Sequence, residues 1–295
     1  MRALLPAAAL ALACAAHAAP PAHSAWKVTF EDEFEGAALD ASKWNNGYAL
    51  EAVGPGSWPD PANVRISDGS LKLYGEKRSG QGKSFAGAAI NNKNKFKQMY
   101  GYMEARIKVP VGKGFSAKMT GIKAGGGYPP WLDIIETRGE EPNHPYWYLH
   151  AGGKEAGGGW TGTNLGSEYH VMGTEWNADE LIFYVDGVVK LRDKTLASLC
   201  RMEMCWALEL MVGGDSWIGI PEASTPWPGV YEVDYVKIYA RTGPVSLLAA
   251  PARPTALKEG LGGRLVSGRW WAGQAGAMPA TALCGPSGCS VPAPR

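Results

Sequence analysis

What the sequence has little of narrows it first. There is no polybasic run, and 29 Lys and Arg against 28 Asp and Glu leave a formal net charge of +1, so nothing in the charge pattern points to nucleic acid or an anionic membrane as a partner. Only 19% of residues are charged. From Trp26 onward no long segment keeps a helical period of apolar residues, which argues against a helical architecture. No apolar run is long enough to be a permanent membrane span. Cysteine is scarce, with five in the chain, and no Cys/His group has zinc-ligand spacing.

The first residues read as an export signal. Met1-Arg2 gives a basic start, Ala3 to Ala16 an apolar run, and Ala16-His17-Ala18 a cleavage site. Residues 1–18 are thus expected to be removed, residues 19–25 to link, and the chain to be periplasmic or extracellular. Ala11-Leu12-Ala13-Cys14 offers an alternative, a lipid anchor on Cys14. Export is permissive for disulfides. The four cysteines beyond the signal form two close pairs, Cys200 with Cys205 and Cys284 with Cys289, which invite local bridges. Residues 26–240 have the size of one β domain, expected to be a monomer. Residues 241–295, rich in Ala, Pro, Gly and Arg, read as a tail.

What the chain does have is 39 Gly, 12 Trp and 12 Tyr. Short apolar or alternating runs are punctuated by Gly, Pro, Asn and Asp, the pattern of an all-β sandwich or barrel. Asp68-Gly69 and Asp186-Gly187 sit where hairpin turns would. Between Gly101 and Pro110, Met103, Ala105, Ile107 and Val109 share one face, and Tyr102, Glu104, Arg106 and Lys108 the other.

Two acids interrupt the otherwise apolar strand in the stretch from Tyr128 to Gly139, namely Asp133 and Glu136. A buried carboxylate is costly unless it is paired or hydrogen-bonded, so these acids should line a cavity or hold partners. Strict alternation would put them on opposite faces, and one bulged residue between them restores a common face. Asp133 would then raise the pKa of Glu136, as suits a general acid. Farther along, alternation sets Ala207, Glu209 and Met211 against Trp206, Leu208, Leu210 and Val212, so Glu209 could enter the same cleft.

The segment Trp131-Leu-Asp133-Ile-Ile-Glu136 resembles the Glu-x-Asp-x-x-Glu signature of glycoside hydrolase family 16 in its bulged form, as in laminarinases and agarases. The resemblance runs over nearly all of residues 26–240, through Asp32-Glu33-Phe34, Leu39 to Trp44, Tyr100 to Lys108, His170 to Trp176, Phe183 to Gly187, Val212-Gly-Gly214 and Val233 to Tyr239. It implies a concanavalin-like β-jelly-roll of two antiparallel sheets, the concave one forming a cleft for a β-linked polysaccharide. No cofactor for catalysis is implied. By the same resemblance Glu136 is the general acid/base, Asp133 tunes it, Glu104 and Arg106 bind sugar hydroxyls, and His150 lies in the cleft. Asp234, with backbone oxygens near Glu33 and Gly69, would hold a structural calcium. His170 is expected to be structural. Trp58, Tyr128, Trp147, Trp160 and Trp217 are candidates for stacking on sugar, with Trp44, Trp176 and Trp206 in the core.

Two departures stand out. Trp131 occupies the nucleophile position, although retaining hydrolysis needs two carboxyl groups about 5 to 5.5 Å apart. Gly114-Phe-Ser-Ala-Lys-Met119 also replaces the usual Gly-x-Trp-Pro-Ala-Phe-Trp run. Three outcomes follow: a hydrolase in which Asp133, Glu209 or water takes the missing role, a silent polysaccharide-binding module, or a hydrolase damaged by one substitution.

Overall fold

A computed structural model describes residues 20–48, 56–125, 130–151, 154–194, 197–214 and 217–243. Both Asp-Gly pairs turn hairpins. Asp68 and Gly69 lie at φ 53° and 66°, and Asp186 and Gly187 at 50° and 75°. Two successive residues at positive φ make the turn whose twist matches antiparallel strands. A Cβ on Gly187 would meet nothing within 4 Å, so Gly187→Ala should cost only the left-handed backbone strain, about 1 kcal/mol. That is measurable as a lower urea midpoint with an unchanged slope.

Sixteen strands follow one another among the described residues: β1 (Trp26–Asp32), β2 (Asn45–Asn46), β3 (Ser57–Pro59), β4 (Val64–Ser67), β5 (Ser70–Gly75), β6 (Phe85–Asn91), β7 (Gly101–Lys108), β8 (Phe115–Lys123), β9 (Trp131–Glu136), β10 (Tyr146–Ala151), β11 (Lys154–Gly159), β12 (His170–Trp176), β13 (Leu181–Val185), β14 (Val188–Asp193), β15 (Met204–Val212) and β16 (Gly229–Arg241). They form two sheets. The first runs β14-β13-β12-β7-β16-β5-β4 with β1 against β16, and the second runs β11-β10-β9-β8-β15-β6-β2. All pairings in these orders are antiparallel, and the short β3 adds a parallel partner to β6. Most neighbours in space are not neighbours in sequence, so the chain crosses between sheets repeatedly, as a jelly roll requires.

The core lies between the sheets. Met103, Ala105 and Ile107 of β7 meet Leu132 and Ile135 of β9, with Trp44, Trp176 and Trp206 buried as expected. The outer faces of the two sheets therefore point in opposite directions, which overturns one expectation. Glu104 and Arg106 do lie on the face of β7 opposite its core residues, but β7 belongs to the first sheet, and Asp133 and Glu136 to the second. Glu104 is fully buried and accepts hydrogen bonds from the Tyr102 and Tyr239 hydroxyls at 3.1 Å. Burial, partly offset by these bonds, pushes its carboxyl up to about 7. Arg106 donates to Asp234 at 2.8 Å and lies over the Tyr169 ring. Neither reaches the acid pair.

The expected Cys200–Cys205 bridge is also absent. Both are free, buried thiols. Cys200 sits in the main core, and Cys205 packs with Ile122 and Ala207 on the other face of β15. Residues 1–18, Cys284 and Cys289 lie outside the described residues.

Candidate active site

The bulge in β9 is where the acids need it. Lys118 pairs with Glu136, Met119 with Ile135 and Thr120 with Asp133, so Ile134 is the extra residue. Lys118 and Thr120 are two apart and share a face, hence Asp133 and Glu136 share it too. On the far side of β8, Lys118 also pairs with Glu209 of β15. Glu209, Lys118 and Glu136 thus form a row across three adjacent strands on the free face of the second sheet.

The row is tightly charged. Lys118 Nζ is 2.5 Å from Glu136 Oε1. Asp133 Oδ1 accepts from the Thr120 hydroxyl at 2.7 Å and from Trp131 Nε1 at 2.6 Å. Asp133, Glu136 and Glu209 are all buried, and Glu209 Oε2 has no hydrogen-bond partner. Burial pushes the Glu209 carboxyl up to about 7, with Lys118 pulling down and Asp133 and Glu136 pushing up. Glu136 is likewise held above the ordinary carboxylate range, first by burial; Lys118 and the Trp217 indole oppose this and Asp133 adds to it. Burial alone would lower the Lys118 pKa, but Glu136, Asp133 and Glu209 together raise it. Burial thus raises both Glu136 and Glu209 against the pull of the one ammonium they share, which favours a proton on one of the two near neutral pH.

Lys118 was not singled out in the sequence. Its signal is the departure at Gly114 to Met119, which brings a cation into the strand.

An aromatic row borders the charged one. On β10, Tyr146 pairs with Glu136, Tyr148 with Asp133 and His150 with Trp131. The Tyr146 and Tyr148 rings stack at 6.4 Å, and Tyr148 and His150 at 6.2 Å. Half-buried Trp217 meets Tyr146 and Tyr148 edge-on at 4.7 and 5.4 Å. Tyr148 can lie across its neighbour β11 because Gly157 stands opposite. A Cβ on Gly157 would come 2.0 Å from the Tyr148 ring. Trp147, expected to stack on sugar, points the other way and packs on Phe183 at 5.1 Å in the core. Alternation along β10 puts half-buried Tyr146 and Tyr148 on the free face instead.

Among the remaining expectations, His150 pairs with Trp131 of β9, and Tyr128 lies outside the described residues. His170 Nδ1 is held by Asp186 Oδ2 at 2.8 Å. Trp58 is partly covered by Arg78, and Trp160 packs against the core. Asp234, expected to hold a structural calcium with backbone oxygens near Glu33 and Gly69, gives its carboxylate to Arg106, and the Glu33 carboxylate faces Lys237 Nζ at 2.7 Å.

Known proteins share this family and fold. The model of the family described as glycosyl hydrolases family 16 matches residues 58–237. The chain is 27% identical over 266 residues to glucan endo-1,3-beta-glucosidase A1 of Niallia circulans, a match covering 74% of this chain and 38% of that protein. It is 27% identical over 234 residues to a beta-glucanase of Acetivibrio thermocellus, covering 75% and 66%. The match therefore spans less than two thirds of either relative. Among solved structures, the endo-beta-1,3-glucanase of Pyrococcus furiosus superposes with a TM-score of 0.69 at 24% identity, covering 76% of this chain and 98% of that one, a likeness of fold.

Proposed function

The chain belongs to glycosyl hydrolase family 16, and from that premise we propose that it is an exported protein whose second sheet binds a β-linked glucan, with the acid/base Glu136 kept and the retaining nucleophile lost. The observation that carries this is the side-by-side arrangement of two rows on one free face: Glu209, Lys118 and Glu136 beside Tyr146, Tyr148 and His150. Buried carboxyl groups with raised pKa values are what proton transfer to a glycosidic oxygen needs. Flat rings next to them suit the apolar faces of pyranose rings. The indole of Trp131 has no oxygen with which to form a glycosyl ester, so the two-step retaining route is closed at that position.

The relatives named above are called glucanases and glucosidases acting on β-glucan, which supports a glucan as the ligand here. No helix among the described residues is long and apolar enough to cross a membrane. A second reading, a binding module without turnover, is favoured by one contact. Trp131 Nε1 donates to Asp133, so the indole fills the nucleophile's place with a stable hydrogen bond.

Both readings require binding, and calorimetry with soluble β-1,3-glucan and mixed-linkage glucan tests it. The native chain should bind at least one of them. Tyr148→Ala should weaken binding about tenfold, the order of one lost aromatic platform. Absence of binding to both, or an unchanged affinity in the variant, would remove the basis for a glucan cleft on this face.

A further inference from the structure

Arg138 lies two residues beyond Glu136, and the antiparallel ladder continues past the end of β9. Thr137 N donates to Ala117 O at 3.0 Å and Gly139 N to Phe115 O at 2.8 Å. Alternation therefore puts Arg138 on the free face with Glu136. Its guanidinium joins two walls of the cleft. Nε donates to the Trp217 carbonyl at 3.0 Å, and the group lies 5.4 Å from the centre of the Trp217 ring. Nη1 is 3.2 Å from Glu141 Oε2, which also accepts from the Tyr146 hydroxyl at 2.6 Å, and Nη2 meets Glu140. Trp217 belongs to the connection between β15 and β16. That connection is tied toward its ends to the segment before β8, by Gly213 N to Gly114 O at 2.8 Å and by Thr225 Oγ1 to Lys113 O at 2.9 Å. Arg138 engages its middle.

Trp217 stands at 72° and 84° to the rings of Tyr146 and Tyr148, which are themselves within 13° of parallel. The three rings make a corner, and a corner binds best when its walls are fixed before the ligand arrives. We propose that Arg138 is the positioning residue of this corner, fixing Trp217 against Tyr146 and Tyr148 so that a glucan meets a preformed aromatic wall. This rests on the glucan-cleft reading above. The role needs a planar fork, because Nε and the two Nη atoms serve three acceptors at once. A lysine at 138 would keep the charge without the fork. Glu141 keeps the Tyr146 phenol when Arg138 is removed, so the loss falls chiefly on Trp217. The ion pairs of Arg138 with Glu140 and Glu141 are partly exposed and contribute little to stability. Removing the guanidinium should therefore leave the fold intact.

Calorimetry of the full chain with soluble β-1,3-glucan and mixed-linkage glucan is the test. Arg138→Met should weaken binding about fivefold, the order of one misplaced aromatic contact, with an unchanged far-ultraviolet circular dichroism spectrum. Arg138→Lys should bind about as weakly, since it keeps the charge and loses the fork. In a Trp217→Ala background, Arg138→Met should cost less than about a further twofold, because the ring it positions is gone. Native affinity in Arg138→Met or Arg138→Lys overturns the proposal, and so does a loss fully additive with that of Trp217→Ala. Tyr148→Ala separates the two readings: if it weakens binding while the Arg138 variants do not, the glucan cleft stands and the role of Arg138 falls. No binding of either glucan by the native chain overturns both.

Discussion

Trp131→Glu is expected to raise the rate of β-glucan hydrolysis on the order of a hundredfold, the size of effect a single positioned catalytic group supplies. The surroundings of position 131 favour such a gain. The bulge in β9 sets Glu136 and Asp133 on one face, Thr120 holds Asp133 Oδ1, and burial keeps the Glu136 carboxyl above its ordinary range. A glutamate at 131 would replace an indole donor to Asp133 with a carboxylate. Another negative charge beside Glu136 would push its already raised pKa further up, as an acid/base needs. Trp131→Gln is the control, since it removes the bulk of the indole without adding a nucleophile and should gain nothing comparable. Reducing-sugar release from β-1,3-glucan and mixed-linkage glucan reads both. Equal rates for the two variants would mean that the indole blocked the cleft sterically and that position 131 is not aimed at the anomeric carbon.

How far the sequence foretold this arrangement depends on the distance over which each signal acts. The hairpins at Asp68-Gly69 and Asp186-Gly187 are local chemistry and were legible. The bulge between Asp133 and Glu136 was legible because a common face for two costly acids demanded it. The placement of Glu104 and Arg106 was not. Alternation tells which residues of a strand share a face and says nothing of which sheet the strand joins, and β7 pairs with β12 and β16 far from it in sequence. Trp147 failed for a different reason. Stacking on sugar requires a ring turned to the free face, whereas a strand through Tyr146 to Ala151 sends Trp147 and Leu149 inward and Tyr146, Tyr148 and His150 outward. Lys118 escaped because its meaning lies in its neighbours. Only the register of three strands shows that it faces both Glu136 and Glu209.

Positions 118, 131 and 209 are therefore physically linked. A carboxylate is missing from β9, one is present on β15, and an ammonium sits in register between β15 and β9. Without Lys118, Glu136 would be a buried acid lacking its ion-pair partner, a loss that costs about 3 to 5 kcal/mol in other buried pairs. Without Glu209, Lys118 would keep Glu136 alone and hold it more firmly ionised, the state in which it cannot protonate a leaving group.

Glu209→Gln is accordingly expected to make the protein more stable above pH 7 while making it a poorer catalyst. The Glu209 carboxyl stands at about 7 in the fold against an ordinary 4.5, chiefly through burial. The fold thus prefers the neutral form. The contribution of Glu209 to stability is intact below about pH 4.5, declines as the pH rises through 7, and is fully lost once the group is ionised in both states. At about 1.4 kcal/mol per pKa unit the loss is about 3 kcal/mol. Glutamine keeps the shape and cannot ionise. Part of the gain is returned because Lys118 loses an anion, so a net advantage of about 2 kcal/mol at pH 8 is expected, roughly 5 °C in melting temperature for a domain of this size. Melting curves of both proteins between pH 4.5 and 8.5 should start close together and diverge as the pH rises. A difference independent of pH, or a variant less stable at pH 8, would mean that Glu209 is ionised and well served in the fold. It would then be a partner of Lys118. Divergence with loss of turnover would mark Glu209 as a side chain whose place in the cleft works against the stability of the sheet that carries it.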